Sequence, residues 1–378
     1  MQYRKLAGCR VSALGFGCMR LPVIGDDSAK IDEAEASRMI AYAVEHGVNY
    51  LDNAWPYHRE QSEPFVGKFL EENNLRDKVY LATKLPQWYV ETRNDCNKYI
   101  NKQLEKLRTD HIDFYLVHSL GKQSWEKLLG LGIREFLDEI KKYGRAIHVG
   151  FSFHDDQENY FPIVDGYDWE FTQIMVNYMD EDVQAGTKGL EYAASKGLDV
   201  IAMEPLRGGK LTKKIPPLVR KMLDESEINR TPAELALRWV WNKPDVSTVL
   251  SGMTAMEHVV ENVRIAETAL PGAITCDELD LIEQIKKLYR ERTEIDCTDC
   301  RYCLPCPHNV AIPQIFSAYN DYHIYNDEKM SRLSYQMFVE DENKADKCEE
   351  CRECEEKCPQ NLEIVENLKK AHKTLMGV

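Results

Sequence analysis

The sequence predicts an α/β fold with three parts: a closed (β/α)8 barrel of the TIM type over residues 1–275, a linker helix over 276–296, and a mainly helical, cysteine-rich module over 297–378. Three observations predict it. Eight short apolar runs alternate with amphipathic helical stretches up to about residue 270, and eight β/α units in about 250 residues favour a closed barrel. No glycine-rich fingerprint follows the first run, which disfavours the alternative, an open doubly wound sheet. Eight of the 12 cysteines then crowd into two short tracts near the C-terminus.

Residues 2–11 are expected to form a small lid over the barrel's closed end. The β-type runs are 13–18, 50–54, 79–83, 114–118, 146–151, 172–177, 200–204 and 247–252. Helical patterns separate them, among them 34–46, 93–107, 132–143, 186–196 and 232–242. Composition changes near Thr275; 277–292 reads as one charged helix, and helical character returns around 313–319 and 329–338.

Of the 378 residues 43% are hydrophobic, enough for a large core. The net charge of −15 argues against nucleic acid and membrane as partners, because both reward clustered Lys and Arg. It suits a protein that handles small molecules or meets a basic protein partner. No apolar run reaches the roughly 18 residues that span a bilayer, and no signal peptide is recognisable, so the expected location is the cytoplasm. Crowded cysteines in a cytosolic chain point to metal or cluster binding.

The second tract, Cys348-x2-Cys351-x2-Cys354-x3-Cys358-Pro359, has the bacterial ferredoxin spacing, in which three thiolates hold one cluster and the fourth reaches the other. The first, Cys297-x2-Cys300-x2-Cys303-x2-Cys306-Pro307, is one residue shorter before its last cysteine. Thiolates suit iron–sulfur or zinc. Structural zinc draws on two separated pairs, so two runs of four favour two 4Fe–4S clusters, and with them an anaerobe's oxygen-poor setting. Residues 341–358 carry eight acidic and four basic side chains. That is either a solvated face or a negative field that tunes a cluster and meets a basic redox protein.

Catalytic groups of β/α barrels sit at the C-terminal ends of the strands. Asp52, Lys84 and His118 end the second, third and fourth runs, and Tyr57 follows on the loop after Asp52. Singly, each has an ordinary explanation: a helix cap for the Asp, a satisfied core position for the His, packing for the Tyr. At consecutive strand ends they converge on one mouth. A phenol has a pKa of about 10, and an adjacent ammonium is expected to lower it. Tyr57 is then the acid, Lys84 its tuner, Asp52 the counter-ion, and His118 the group that orients a substrate oxygen.

Over roughly residues 1–270 the chain resembles the aldo-keto reductase family. The resemblance is carried by Leu14-Gly15-Phe16-Gly17, Asp52-x4-Tyr57, Lys84, His118, Glu204-Pro205-Leu206, Ser251-Gly252 and Glu261-Asn262. The whole chain resembles the branch that ends in a ferredoxin-type domain. The resemblance implies a catalytic tetrad at Asp52, Tyr57, Lys84 and His118, and NADPH or NADH as cofactor. It places the nucleotide against Ser152, Gln173, Met203, Pro205, Leu206, Ser251, Gly252, His258, Glu261 and Asn262. Phe153 and Met203 depart from the family's Asn and stacking aromatic. The last β/α loop has Gly252 and His258 where the family commonly carries Lys and Arg. NADH is therefore expected to serve no worse than NADPH.

Two functions remain open at this point. One is an oxidoreductase acting on a small carbonyl or alcohol. The other is an electron-transfer protein whose clusters, not a nicotinamide, serve the barrel site, or whose barrel only docks. Clusters move single electrons and nicotinamide moves hydride, so coupling the two needs a flavin or a radical intermediate; no flavin motif is visible.

Overall fold

The computed structural model describes residues 1–25, 27–212, 215–297, 303–358 and 360–377, with every side chain in these ranges except that of Phe338. Cys300 and Pro359 of the two tracts lie outside the described residues.

The chain opens with an antiparallel hairpin, β1 (Tyr3–Leu6) and β2 (Cys9–Ser12). Eight parallel strands follow: β3 (Leu14–Gly17), β4 (Tyr50–Asp52), β5 (Tyr80–Leu85), β6 (Ile112–Leu120), β7 (Ala146–Phe153), β8 (Phe171–Met175), β9 (Asp199–Met203) and β10 (Val246–Ser251). They close in sequence order, with β10 returning to β3 through Val249↔Leu14 and Ser251↔Phe16. The eight apolar runs thus become eight barrel strands, their ends displaced by a few residues.

Local chemistry starts the surrounding helices. Asp32 accepts from the Glu35 amide to cap Glu33–Glu45, and Thr92 with Asp95 forms a capping box for Arg93–Lys106. Thr231, followed by Pro232 at the first helical position, caps Pro232–Trp241.

The hairpin closes the N-terminal end of the barrel. The Ala7 amide donates to Asp199 Oδ2 at 2.6 Å, where β9 begins, and the Ser12 amide donates to Asn49 Oδ1 at 2.7 Å, just before β4. Leu6 and Val11 are fully buried in one cluster with Tyr50, Phe114, Phe171 and Ile201. Burying each of the two contributes about 1.5–3 kcal/mol. With that end plugged, the opposite mouth is the one left for chemistry.

By internal packing the chain divides into two units, residues 1–208 with 230–276, and residues 209–229 with 277–378. The first holds the barrel. The described part of the second is helical: Pro217–Glu225, most of Cys276–Arg290, Ile312–Ile324, Glu328–Phe338, Glu353–Glu356 and Ile364–Met376. Its core gathers Ile295, Ile315, Phe316, Tyr335, Leu368 and Leu375. Two of the buried polar groups there, Asn320 and Tyr335, find partners. Asn320 Oδ1 accepts from the Ile295 amide at 3.0 Å, its Nδ2 donates to the Ile295 carbonyl at 2.8 Å, and Tyr335 OH accepts from the Ala345 amide at 3.1 Å. Among the described residues, no helix is long and apolar enough to cross a membrane.

Candidate active site

Asp52 is the last residue of β4, Lys84 lies near the end of β5 and His118 near the end of β6. These three neighbours in the closed sheet deliver their side chains to the mouth opposite the hairpin. Lys84 is fully buried. Its ammonium donates to Asp52 Oδ1 and to the Asn53 carbonyl, each at 2.7 Å, and stands 3.4 Å from Tyr57 OH. A buried ammonium needs this full set of acceptors to offset its lost hydration. Burial pulls the Lys84 ammonium down, but Asp52 and Tyr57 together outweigh it and hold it above its ordinary value. Burial pushes the Asp52 carboxyl up, opposed by Lys84.

Tyr57 differs from the sequence expectation. Its phenol is not lowered: burial pushes it up to about 12, with Lys84 pulling the other way and losing. The reason is desolvation of the phenolate, which one ammonium at 3.4 Å only partly offsets. His118 sits edge-on to the Tyr57 ring at 6.3 Å and against Trp88 at 4.9 Å. Burial, followed by the charge of Lys84, drives its imidazole well below the usual range, so it is neutral. Its Nδ1 is buried with no hydrogen-bond partner among the described residues.

Several supporting residues escaped the sequence reading. The three residues after Tyr57, namely His58, Arg59 and Glu60, all take left-handed φ of 50° to 70°. That backbone is unfavourable for non-glycine residues and persists only when its surroundings hold it. His58 supplies the hold. Its Nε2 accepts from the Leu21 amide at 3.1 Å while Nδ1 faces the Ser28 carbonyl at 2.8 Å, which ties the tyrosine loop to the loop after β3. Behind Lys84, the Thr83 hydroxyl and Gln103 Nε2 donate to the fully buried Glu63 at 2.7 and 2.8 Å, and Gln103 Nε2 also reaches the Lys84 carbonyl at 3.0 Å.

The other predicted positions lie on the remaining strand ends in small separate groups. Ser152 Oγ on β7 accepts from the Ser119 amide at 2.7 Å. Gln173 Nε2 on β8 meets Met203 Sδ on β9 at 3.4 Å, and Gln173 Oε1 is a buried acceptor with no partner among the described residues. Phe153 instead packs on Tyr160 at 5.0 Å. Pro205 is buried and Leu206 half-buried on the loop after β9. Asn262 donates to Ser251 Oγ at 2.9 Å. Glu261 accepts from the Thr231 hydroxyl at 2.6 Å, and His258 Nδ1 lies 3.4 Å from the Thr254 amide and hydroxyl, with Gly252 exposed at the start of that loop. An orphaned amide acceptor on the inner wall fits the carboxamide of a nicotinamide, so the residues present are compatible with that group.

In the second unit Cys297, Cys303, Cys306, Cys348 and Cys358 pack against the helical core, Cys354 is buried and Cys351 is exposed. Burial raises the thiols of Cys348 and Cys354, the latter to about 11, and Cys306 of the first tract lies close enough to raise both further. The ferredoxin spacing calls for the fourth cysteine of one tract beside the first three of the other; among the described residues no three ligand side chains stand close enough together to hold a metal ion, so the fit rests on the chemistry of the thiols. The donor set fits an iron–sulfur cluster.

Comparison with known proteins agrees with this geometry. The model of the Aldo/keto reductase family matches residues 13–287, and that of the 4Fe-4S dicluster domain matches residues 296–363. L-galactose dehydrogenase of Arabidopsis thaliana is 26% identical over 275 residues, covering 68% of this chain and 84% of that protein. Methylglyoxal reductase YeaE of Escherichia coli is 24% identical over 295 residues, covering 74% and 96%. The solved holo form of an aldo-keto reductase from Bacillus halodurans superposes with a TM-score of 0.62 at 25% identity, covering 75% of this chain and 96% of that one. The chain belongs to the aldo/keto reductase family and carries a 4Fe-4S dicluster domain behind the family's barrel.

Proposed function

We propose that the barrel interconverts a small carbonyl compound and its alcohol with NADH or NADPH, and that Asp52, Tyr57, Lys84 and His118 are its catalytic residues. The observation that carries this reading is the buried Lys84 ammonium set between Asp52 and Tyr57. When bound, the reduced nicotinamide supplies a hydride to the carbonyl carbon. The chain's own residues do the rest. Tyr57 OH gives its proton to the substrate oxygen as negative charge develops there. Lys84 stabilises the phenolate left behind, and Asp52 keeps the ammonium in place. Neutral His118 offers the same oxygen a hydrogen bond without competing for its proton. Ser152, Gln173, Met203, Pro205, Leu206, Ser251, Gly252, His258, Glu261 and Asn262 would hold the nucleotide. We place the protein in the cytoplasm, where cluster thiols stay reduced.

The raised phenol sets the pH dependence. With Tyr57 pushed up to about 12 and His118 held neutral, neither group changes charge between pH 6 and 9. Carbonyl reduction should therefore keep a level kcat across that window, whereas alcohol oxidation, which needs the phenolate as base, should climb with pH throughout it. Initial rates in both directions from pH 6 to 9 check this; a bell centred near pH 7 for reduction contradicts it.

A second reading, in which the clusters exchange electrons with a basic redox protein, is favoured by the surface around the second tract. The four bases of residues 341–358 are each paired with an acid of the same segment: Lys344 with Asp341, Lys347 with Asp346, Arg352 with Glu355 and Lys357 with Glu353. Of the four remaining acids Glu350 pairs with Lys369, while Glu342, Glu349 and Glu356 face solvent in the same segment as exposed Cys351. The second reading needs the clusters, whereas the first does not route electrons through them. Protein purified without oxygen should hold about eight iron and eight sulfide per chain, from two four-iron clusters. Near four of each, the first tract forms none; stoichiometric zinc without visible absorption removes the module's redox role.

A further inference from the structure

The loops after the seventh and eighth strands of a β/α barrel are a recurrent phosphate site. Here those strands are β9 and β10, and their loops begin at Glu204 and Gly252. The eighth loop brings no Lys or Arg from Gly252 through His258. The seventh brings Arg207, whose Nε donates to Asp180 Oδ2 at 2.9 Å, and Lys210, which pairs with Asp321, so both charges are already matched; Lys213 and Lys214 of the same loop lie outside the described residues.

A different arginine fills the gap. Arg20 follows β3, which pairs with β10 in the closed sheet. Its stem lies over Gly252: a Cβ built on that glycine would stand 3.0 Å from Arg20 Cδ and 3.3 Å from its Cβ and Cγ. Its guanidinium reaches on to the seventh loop, where a Cβ on Gly208 would stand 3.3 Å from Nη2. Apart from Gly208's chain neighbours, no other atom of the described residues comes within 4 Å of that point. Gly208 is exposed and has a left-handed φ of 67°, which presents its backbone without a side chain. Arg20 is exposed and forms no hydrogen bond or ion pair among the described residues. The result, among the described residues, is open space at Gly208 bounded by the unneutralised Arg20 guanidinium, with Gly252 beneath its stem.

We propose that Arg20 receives the bridging pyrophosphate of the dinucleotide, reaching across from the first loop to supply the cation that the eighth loop lacks. The proposal rests on the nucleotide reading above. It also explains Gly252, because a side chain there would displace the arginine's stem. A planar guanidinium pairs with phosphate oxygens through two parallel donors, the geometry a lysine cannot offer. The pyrophosphate is common to NADH and NADPH, so Arg20 should serve both equally.

ADP-ribose carries the pyrophosphate but neither the nicotinamide nor a 2′-phosphate, so its binding to the whole, cluster-loaded chain reads this contact without turnover. Arg20→Ala should weaken ADP-ribose about ten- to hundredfold, the worth of a charge-assisted pair. It should weaken NADH and NADPH by the same factor, and Arg20→Lys should recover part of the loss. Wild-type affinity for ADP-ribose in Arg20→Ala overturns the assignment, as does a loss confined to NADPH. If the wild-type chain binds ADP-ribose not at all, this assignment and the nucleotide reading fall together; tight wild-type binding with an unaffected variant removes this assignment alone.

Discussion

Replacing Tyr57 with Phe should lower kcat for carbonyl reduction by about 10²–10⁴-fold, the usual worth of a positioned general acid, with little change in KM. The substitution removes one oxygen. It leaves the ring against His118, so the mouth should keep its shape. The Lys84 ammonium retains its two closest acceptors, Asp52 Oδ1 and the Asn53 carbonyl. A loss in kcat alone therefore isolates proton donation from binding. Steady-state rates with a simple aldehyde decide the matter, and a Phe variant working at wild-type rate would remove Tyr57 from the chemistry.

Lys84→Met should do more damage, in two separable ways. For catalysis, it takes away the charge that opposes desolvation of the Tyr57 phenolate, so the phenol rises further and gives up its proton less readily. A kcat loss of at least about 10²-fold is expected. For stability, it leaves Asp52 buried without its partner, and breaking one side of a buried pair costs about 3–5 kcal/mol. Adding Asp52→Asn removes the stranded charge. The double variant should regain most of the lost unfolding temperature while remaining inactive. Thermal unfolding of the single and double variants under anaerobic conditions checks the stability arm. Equal midpoints for the two would mean that Asp52 is not the group left stranded.

The parts of this molecule that local patterns encode were legible in the sequence. Strands such as Tyr50–Asp52 and Ile112–Leu120 announce themselves as short apolar runs, and Thr231-Pro232 marks a helix start by its own hydrogen-bonding chemistry. The convergence of Asp52, Lys84 and His118 followed from parallel topology alone, since consecutive strands of a closed barrel open on one mouth. What escaped was decided by surroundings assembled from distant segments. The direction of the Tyr57 shift depends on how completely water is excluded, which no neighbour in the sequence reveals. Glu63, a carboxyl in a helix, reads as a solvent-facing residue, yet it is fully buried because Thr83 and Gln103 arrive to donate to it. Arg20, one exposed base after an apolar run, is indistinguishable in sequence from any solubilising arginine. Its setting exists only because Gly252, 232 positions later by residue number, lies beneath it.

The division of the chain bears on how it is made. After Gly208 the polypeptide contributes residues 209–229 to the helical unit, then returns to finish the barrel with Pro232–Trp241 and β10, and only after Cys276 supplies the remainder of that unit. On the ribosome, where domains generally fold in the order they emerge, residues 209–229 appear before their companions have been synthesised. A stop codon at residue 277 would leave residues 209–229 without the remainder of the unit with which they pack. The two units are therefore interleaved along the chain, and neither corresponds to one unbroken stretch of the gene.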